Sequence, residues 1–201
     1  IADDEVGQKS ISWDELADEV GALAHALVAC GVESGDRVAA WLPNGIEAVV
    51  AMLAAASLGA VFSSTSPDFG AGGVIDRFGQ IEPSVLVATD HYTYGGVHYD
   101  RRAVLDEITA ALPSLQRVVI IGDLIIDRYI SGEVSRISPE APIPVLAAKS
   151  SELRLGGAGN VAANLRAMDA TVDIVGIVGD DGHGRAMREL FHEFEIGTEG
   201  V

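Results

Sequence analysis

One cysteine, Cys30, stands in 201 residues, which excludes an intrachain disulfide framework and fits a reducing compartment, the cytoplasm. Lysine is nearly as scarce, with only Lys9 and Lys149. Lys and Arg together number 13 against 30 Asp and Glu, so the net charge is -17. That balance disfavours nucleic acid or an anionic membrane surface as a partner. It leaves a phosphorylated substrate open, because a loop of backbone N–H groups binds an anion even on an acidic protein. No apolar run is long enough to span a bilayer, and no signal peptide is expected at the start, where Ile1 leaves room for a longer natural chain. The five histidines are scattered, and none pairs with Cys, Asp or Glu at a zinc spacing, so no metal site is expected. A G-x-S-x-G elbow, internal repeats and low-complexity tracts are likewise missing. Aromatic residues make up only 5%, and Tyr92, Tyr94 and Tyr99 are expected to pack a hairpin.

Against these absences, 48% of residues are hydrophobic, enough for one large domain or two small ones. The organising stretch is 117–129, RVVIIGDLIIDRY. Its β-branched run, 118–121, suits a strand buried on both faces, as in a parallel sheet. Asp123 follows the strand, where open α/β sheets bind ligands, and Asp127 comes four residues later. A turn cap is an equally good reading of Asp123 alone.

In the first half, Ser12 with Glu15 forms a capping-box pattern before a helix carrying Leu16, Val20, Leu23 and Leu27, and Gly31 stops it. Strands are expected at 38–42, 60–62 and 84–88. A helix over 46–58 is expected with Asn44 as its cap and Gly59 as its stop. Residues 90–96 read as a turn, and Asp100 as the cap of a helix over 101–112 that Pro113 ends. Strand alternates with helix, which predicts a mostly parallel sheet with helices on both faces.

The segments ISWDELADEV and GDRVAAWLPNGIEAVVAMLAAASLGAVFSSTSPDFG, followed by VIDRFGQIEPSVL, resemble the N-terminal part of adenylate-forming acyl-CoA synthetases. Among these, the acetoacetyl-CoA synthetases are the most similar. The resemblance covers residues 1–119 and implies ATP and Mg, acyl-adenylate formation and transfer to CoA. Such chemistry needs a Ser-, Thr- and Gly-rich phosphate loop ending in lysine. Neither Lys9 nor Lys149 closes one, and Ser63, Ser64, Thr65 and Ser66 read as a strand-to-helix connection.

From residue 117 the pattern changes. Prolines 139, 142 and 144 within 131–146 suit edge strands and loops. Gly156, Gly157 and Gly159 precede Asn160 and a helix over 161–168. A strand over 172–178, the loop GDDGHG and an amphipathic helix near 185–194 follow. A glycine-rich turn entering a helix is by itself an ordinary connection, and the G-x-G-x-x-G spacing is missing. Together, GDLIIDRYISGEVSRISPEAPIPVL, GGAGNVAANL and VGIVGDDGHG resemble the N-terminal third of ribokinase-like, PfkB-type sugar kinases, nearest to the heptose 7-phosphate kinases.

That resemblance implies a sugar phosphate as ligand, with ATP and Mg as co-substrates. It implies that Asp127 accepts hydrogen bonds from sugar hydroxyls, that Gly156 and Gly157 let a loop lie against the sugar, and that Asn160 donates and accepts. Asp123 would orient the strand end. Residues 131–146 would form a small β lid that covers the sugar and pairs subunits into a homodimer. Asp169 stands where the family usually has glycine, so the helix end there is expected to be strained or differently capped. The family's catalytic aspartate lies in a late G-A-G-D segment; GGAGN resembles that segment only superficially, since it comes too early, lacks the preceding Asp-Thr pair and has Asn160 for the acid, while Asp180 and Asp181 fit a solvated loop rim. No catalytic residue is therefore assigned.

The expectation is an α/β chain of two incomplete Rossmann-like halves, 1–119 and 120–201, joined within a shared strand. Whether the halves form one sheet is left open. Three functions remain: a truncated fusion keeping mainly the sugar-binding region of a kinase, an acetoacetyl-CoA synthetase fragment, and a non-catalytic folded remnant.

Overall fold

The computed structural model describes residues 10–139 and 142–201. In chain order these form α1 (Trp13–Ala29), β1 (Arg37–Trp41), α2 (Ile46–Ser57), β2 (Val61–Thr65), α3 (Ala71–Gly79) and β3 (Val85–Ala88). A hairpin, β4 (His91–Tyr94) and β5 (Val97–Asp100), precedes α4 (Arg102–Ala111) and β6 (Arg117–Ile121). A long hairpin, β7 (Leu124–Ile137) and β8 (Pro144–Gly156), leads to α5 (Gly157–Ala167), β9 (Val172–Val175), α6 (Gly182–Glu193) and β10 (Gly197–Gly200).

Six strands form one parallel sheet in the order β10-β9-β6-β3-β1-β2. The all-apolar run 118–120 explains why β6 is central. Val118 and Ile120 face one core and Val119 the other, so a polar residue at any of the three would be buried. Because β6 hydrogen-bonds to β3 on one side and β9 on the other, both halves of the chain share a single sheet.

Chain direction sorts the helices between the faces. The step from β1 to β2 runs toward one edge, and every later step runs toward the other. Right-handed crossovers then require α2 on one face and α3 to α6 on the opposite one. The cores agree: Val50 and Ala54 of α2 join Val38, Ala40 and Val87, whereas Phe78, Leu105, Leu165 and Phe191 join Trp41, Leu86, Ile120 and Ile174. That rule leaves the α2 face of β6, β9 and β10 without a crossover helix. α1 fills the gap, bringing Leu23 and Leu27 into the core that contains Val119 and half-buried Val175. A helix from the first half thus covers strands of the second.

A buried polar contact marks this cover. Cys30 Sγ, at the end of α1, donates to Asp173 Oδ2 of β9 at 3.4 Å, and Arg117 Nη1 of β6 donates to the same oxygen at 3.0 Å. Asp173 is only 8% exposed, and Arg117 is the opposite charge paired with it there. Burial and then the neighbouring Asp173 carboxylate push the Cys30 thiol up to about 12.

The capping box of Ser12 and Glu15 is present. Elsewhere local details differ from the sequence expectation. Gly45, not Asn44, is the N-cap of α2, and Arg101, not Asp100, that of α4. Asp100 belongs to β5, yet its carboxylate still accepts the Arg102 N–H at 3.0 Å. Ser63, Ser64 and Thr65 lie inside β2 rather than in a connection, and residues 90–96 contain β4 and the tight turn at Gly95 and Gly96. β9 stops at Val175, three residues short of the expected end. Asp169 has φ +65, in the left-handed region, as the glycine comparison implied.

Candidate functional site

The β7–β8 hairpin departs from the sheet directly after β6. Antiparallel pairing sets Ile125 opposite Gly156 and Asp127 opposite Arg154. Ile125 and Asp127 therefore share one face of β7, and both meet the end of β8. A Cβ on Gly156 would lie 2.7 Å from Asp127 Oδ2 and 3.2 Å from Ile125 Cγ2, so only glycine leaves the carboxylate where it is. Gly157 opens α5 with φ +53, and a Cβ there would strike the Asp123 carbonyl. That carbonyl instead accepts the Ala158 N–H at 3.1 Å, tying the end of β6 to the first turn of α5.

Four of the five candidate residues are thus adjacent. Asp127 and Asp123 are exposed, Gly156 is buried and Gly157 half-buried. Asp123 contributes its backbone to this arrangement, and neither its carboxylate nor that of Asp127 has a hydrogen-bond partner among the described residues. Asn160 lies at the fourth position of α5, half-buried, and its side chain is not hydrogen-bonded within the described residues. The expected lid, 131–146, is the outer part of a longer arm that begins at Leu124; residues 140–141 fall outside the described residues. The opposite face of β7 borders a cavity of about 290 Å³ lined by Leu124, Ile126, Val178, His183 and Met187. Asp181, expected at a solvated rim, caps α6 by accepting from the N–H groups of His183 at 2.9 Å and Gly184 at 2.8 Å. Those bonds hold its carboxyl below the ordinary range.

At the carboxyl ends of β1 and β3, where the strand order reverses, lies a polar cluster that sequence reasoning missed. Asp90 is 5% exposed, with Oδ1 at 2.6 Å from His91 Nδ1. The Tyr92 hydroxyl donates to Asp68 and accepts from Arg101 Nη2 at 2.9 Å, while the Tyr92 ring stacks on Tyr99. Burial, followed by the bond to Asp68, raises the Tyr92 phenol above its ordinary value. A signal existed: Asp90 follows the buried run VLVA just as Asp123 follows VVII.

Bound ATP does not fit these residues. Lys149 is exposed on β8 and bonded to Glu133, while Lys9 lies outside the described residues. Ser63, Ser64 and Thr65 point alternately to opposite faces of β2, as in any strand, and cannot converge on a phosphate. Among the described residues no three carboxylate, imidazole or thiol groups gather to hold a metal ion, and no helix is long and apolar enough to cross a membrane.

The sequence model for the AMP-binding enzymes matches residues 2–150. The chain belongs to the AMP-binding enzyme family. The model of the pfkB family carbohydrate kinases matches residues 115–201, so segments of two families are joined, and the matches overlap through β6 and the hairpin arm. Acetoacetyl-CoA synthetase of Mus musculus is 47% identical over 111 residues, which is 55% of this chain and 16% of that protein. The Bifunctional protein HldE of Rhodopseudomonas palustris is 51% identical over 83 residues, 41% of this chain and 17% of that protein. Acetoacetyl-CoA synthetase from Streptomyces lividans aligns in structure with a TM-score of 0.55 and 49% identity, covering 56% of this chain and 18% of that one. Over these matches the chain spans 16–18% of each relative's length.

Proposed function

We propose that this fusion fragment holds a sugar phosphate through its pfkB-like segment and does not turn it over. The observation that carries the reading is the Asp127 carboxylate, exposed and unshared, seated against Gly156 beside the first turn of α5. An ionised carboxylate in that setting accepts hydrogen bonds from adjacent hydroxyls, and Asn160 supplies donor and acceptor nearby in the chain. Gly156 and Gly157 keep the floor flat, Asp123 ties it to the central strand, and the β7–β8 arm closes over it. The arm also leaves Val134 58% and Ile137 69% exposed, which supports a homodimer formed arm to arm. The compartment proposed is the cytoplasm, consistent with one buried, unbridged Cys30. Nucleic acid and membrane are not proposed as partners of so acidic a chain.

Calorimetric titration with ribose 5-phosphate and with heptose 7-phosphate tests this. Heat of binding should be lost on Asp127→Ala and on Asn160→Ala. Heat that survives both substitutions, or no heat with the unaltered chain, sinks the proposal. The acyl-CoA ligase reading has a separate test, ATP–pyrophosphate exchange driven by acetoacetate; the placement of Lys149 and of the β2 hydroxyls favours no exchange. A chain that neither binds sugar phosphate nor exchanges pyrophosphate is the non-catalytic remnant.

A further inference from the structure

His91 and His98 are too far apart in the chain to form a recognised ligand spacing, but the β4–β5 hairpin brings them together. Its antiparallel register sets His91 opposite Asp100 and Thr93 opposite His98, so the two imidazoles are diagonal neighbours on one face. Their ring centroids lie 4.7 Å apart and the planes are tilted by 37°. Tyr92 and Tyr99 take the other face, where they stack on each other beside Arg101. Both imidazoles reach solvent: the His91 side chain is 30% exposed, and His98 is exposed.

We infer that this pair binds a divalent transition-metal ion of the imidazole-preferring kind, such as Ni2+ or Zn2+, with water filling the remaining positions. With metal–nitrogen bonds of about 2.0–2.1 Å, two imidazoles on one ion at about 90–110° have ring centres about 4.6–5.3 Å apart. The observed separation already lies in that range. Asp90 prepares the first ligand. Its carboxylate, on a residue 5% exposed, stands 2.6 Å from His91 Nδ1 and can only accept. The ring hydrogen therefore sits on Nδ1, and the Nε2 lone pair is free for an ion. A carboxylate on one ring nitrogen is the usual way a metal-binding histidine is fixed and made more basic at the other. His98 makes no hydrogen bond among the described residues, so its ring nitrogens are available as well. Across the hairpin, Arg102 is bonded to Asp100, so those charges cancel and the Asp90 charge remains to offset that of the ion. Mg2+ and Ca2+ would meet two nitrogens where they require a set of oxygens.

The test is calorimetric titration of the whole chain with NiCl2 and with ZnCl2, using MgCl2 as the control. One ion per chain is expected for nickel and for zinc, and no saturable heat for magnesium. His91→Ala and His98→Gln should each weaken binding at least ten-fold, while His25→Ala and His192→Ala, at exposed helix positions, leave it unchanged. The His98 side chain is exposed, so His98→Gln leaves the fold intact, and unaltered circular dichroism verifies that. Asp90→Asn should weaken the ion about ten-fold or more, because the orienting carboxylate is lost. Proton–nitrogen spectra of the histidine rings supply a readout that a packing role would not move. With zinc, His91 Nε2 should shift while Nδ1 keeps its hydrogen. Absence of binding, equal binding of magnesium, an unmoved His91 Nε2, or affinity unchanged in the His91 and His98 variants overturns the assignment.

Discussion

Asp169→Gly should make the protein more stable, although it deletes a side chain and adds none. Asp169 follows the end of α5 with φ +65. Its N–H bonds to Arg166 O at 3.0 Å and the next N–H, of Ala170, to Leu165 O at 3.1 Å, which is the Schellman pattern. α1 and α2 end in the same way, with glycine at the left-handed position: Gly31 at φ +85 and Gly59 at φ +72. For an L-residue that conformation costs about 1–2 kcal/mol, less for Asp when its side chain bonds locally. No such bond is found for Asp169 among the described residues. Glycine removes the cost but gives the unfolded chain more freedom, worth about 0.4–1 kcal/mol in the other direction. The net gain is about 0.5–1 kcal/mol, or a rise of about 1–4 °C in Tm for a chain this size. Urea unfolding of Gly, Ala and Asn variants separates the causes. Asn keeps tolerance of the left-handed region without the charge, so it should fall between Gly and wild type. Ala should gain nothing. A Gly variant no more stable than the Ala variant would refute the backbone explanation.

Asp173→Asn should destabilise by about 2–3 kcal/mol, since it removes the partner of a partly buried Arg117; denaturant midpoints measure it. Because the folded Cys30 thiol is raised from 9.0 to about 12, its stability contribution is complete below pH 9 and is lost as pH climbs toward 12. Only the unfolded chain releases the proton in that window, so Cys30→Ala should flatten the alkaline fall in stability by roughly 1 kcal/mol per pH unit. Gly184→Ala should cost about 1–3 kcal/mol, as its Cβ would overlap the Gly179 carbonyl. Gly156→Ala should displace the Asp127 carboxylate and weaken sugar-phosphate binding about ten-fold or more while leaving the α1 face intact, as calorimetry and near-ultraviolet circular dichroism would report.

Elements buried on both faces were the legible ones. β3 and β6 read directly as VLVA and VVII, because a strand between two helix layers is filled almost entirely by apolar residues. The Ser12 and Glu15 box and the stops at Gly31 and Gly59 were legible for a local reason, since each satisfies helix-end groups through its own chain neighbours. The β7–β8 arm was only partly legible. Nearly all of its residues face solvent, so no apolar period marks where its strands begin. β10, GTEG, is an edge strand whose pairing with β9 slips between Gly197 and Gly200, and nothing in four such residues announces a strand. Asp127, Gly156 and Gly157 could be nominated from sequence, but their adjacency depends on a cross-strand register that no local pattern encodes. The contact of Cys30 with Asp173 spans 143 positions and two ancestries, and only the assembled sheet produces it.

Most direct for the central claim, that one continuous sheet makes the joined segments a single folding unit, is native-state hydrogen exchange of Val87, Val119 and Ile174. These amides lie on β3, β6 and β9, on both sides of the junction. The three should exchange through the same global opening, with equal free energies and equal denaturant dependence. Exchange of Ile174 at a markedly lower free energy than Val87, with the first segment still protected, would contradict it.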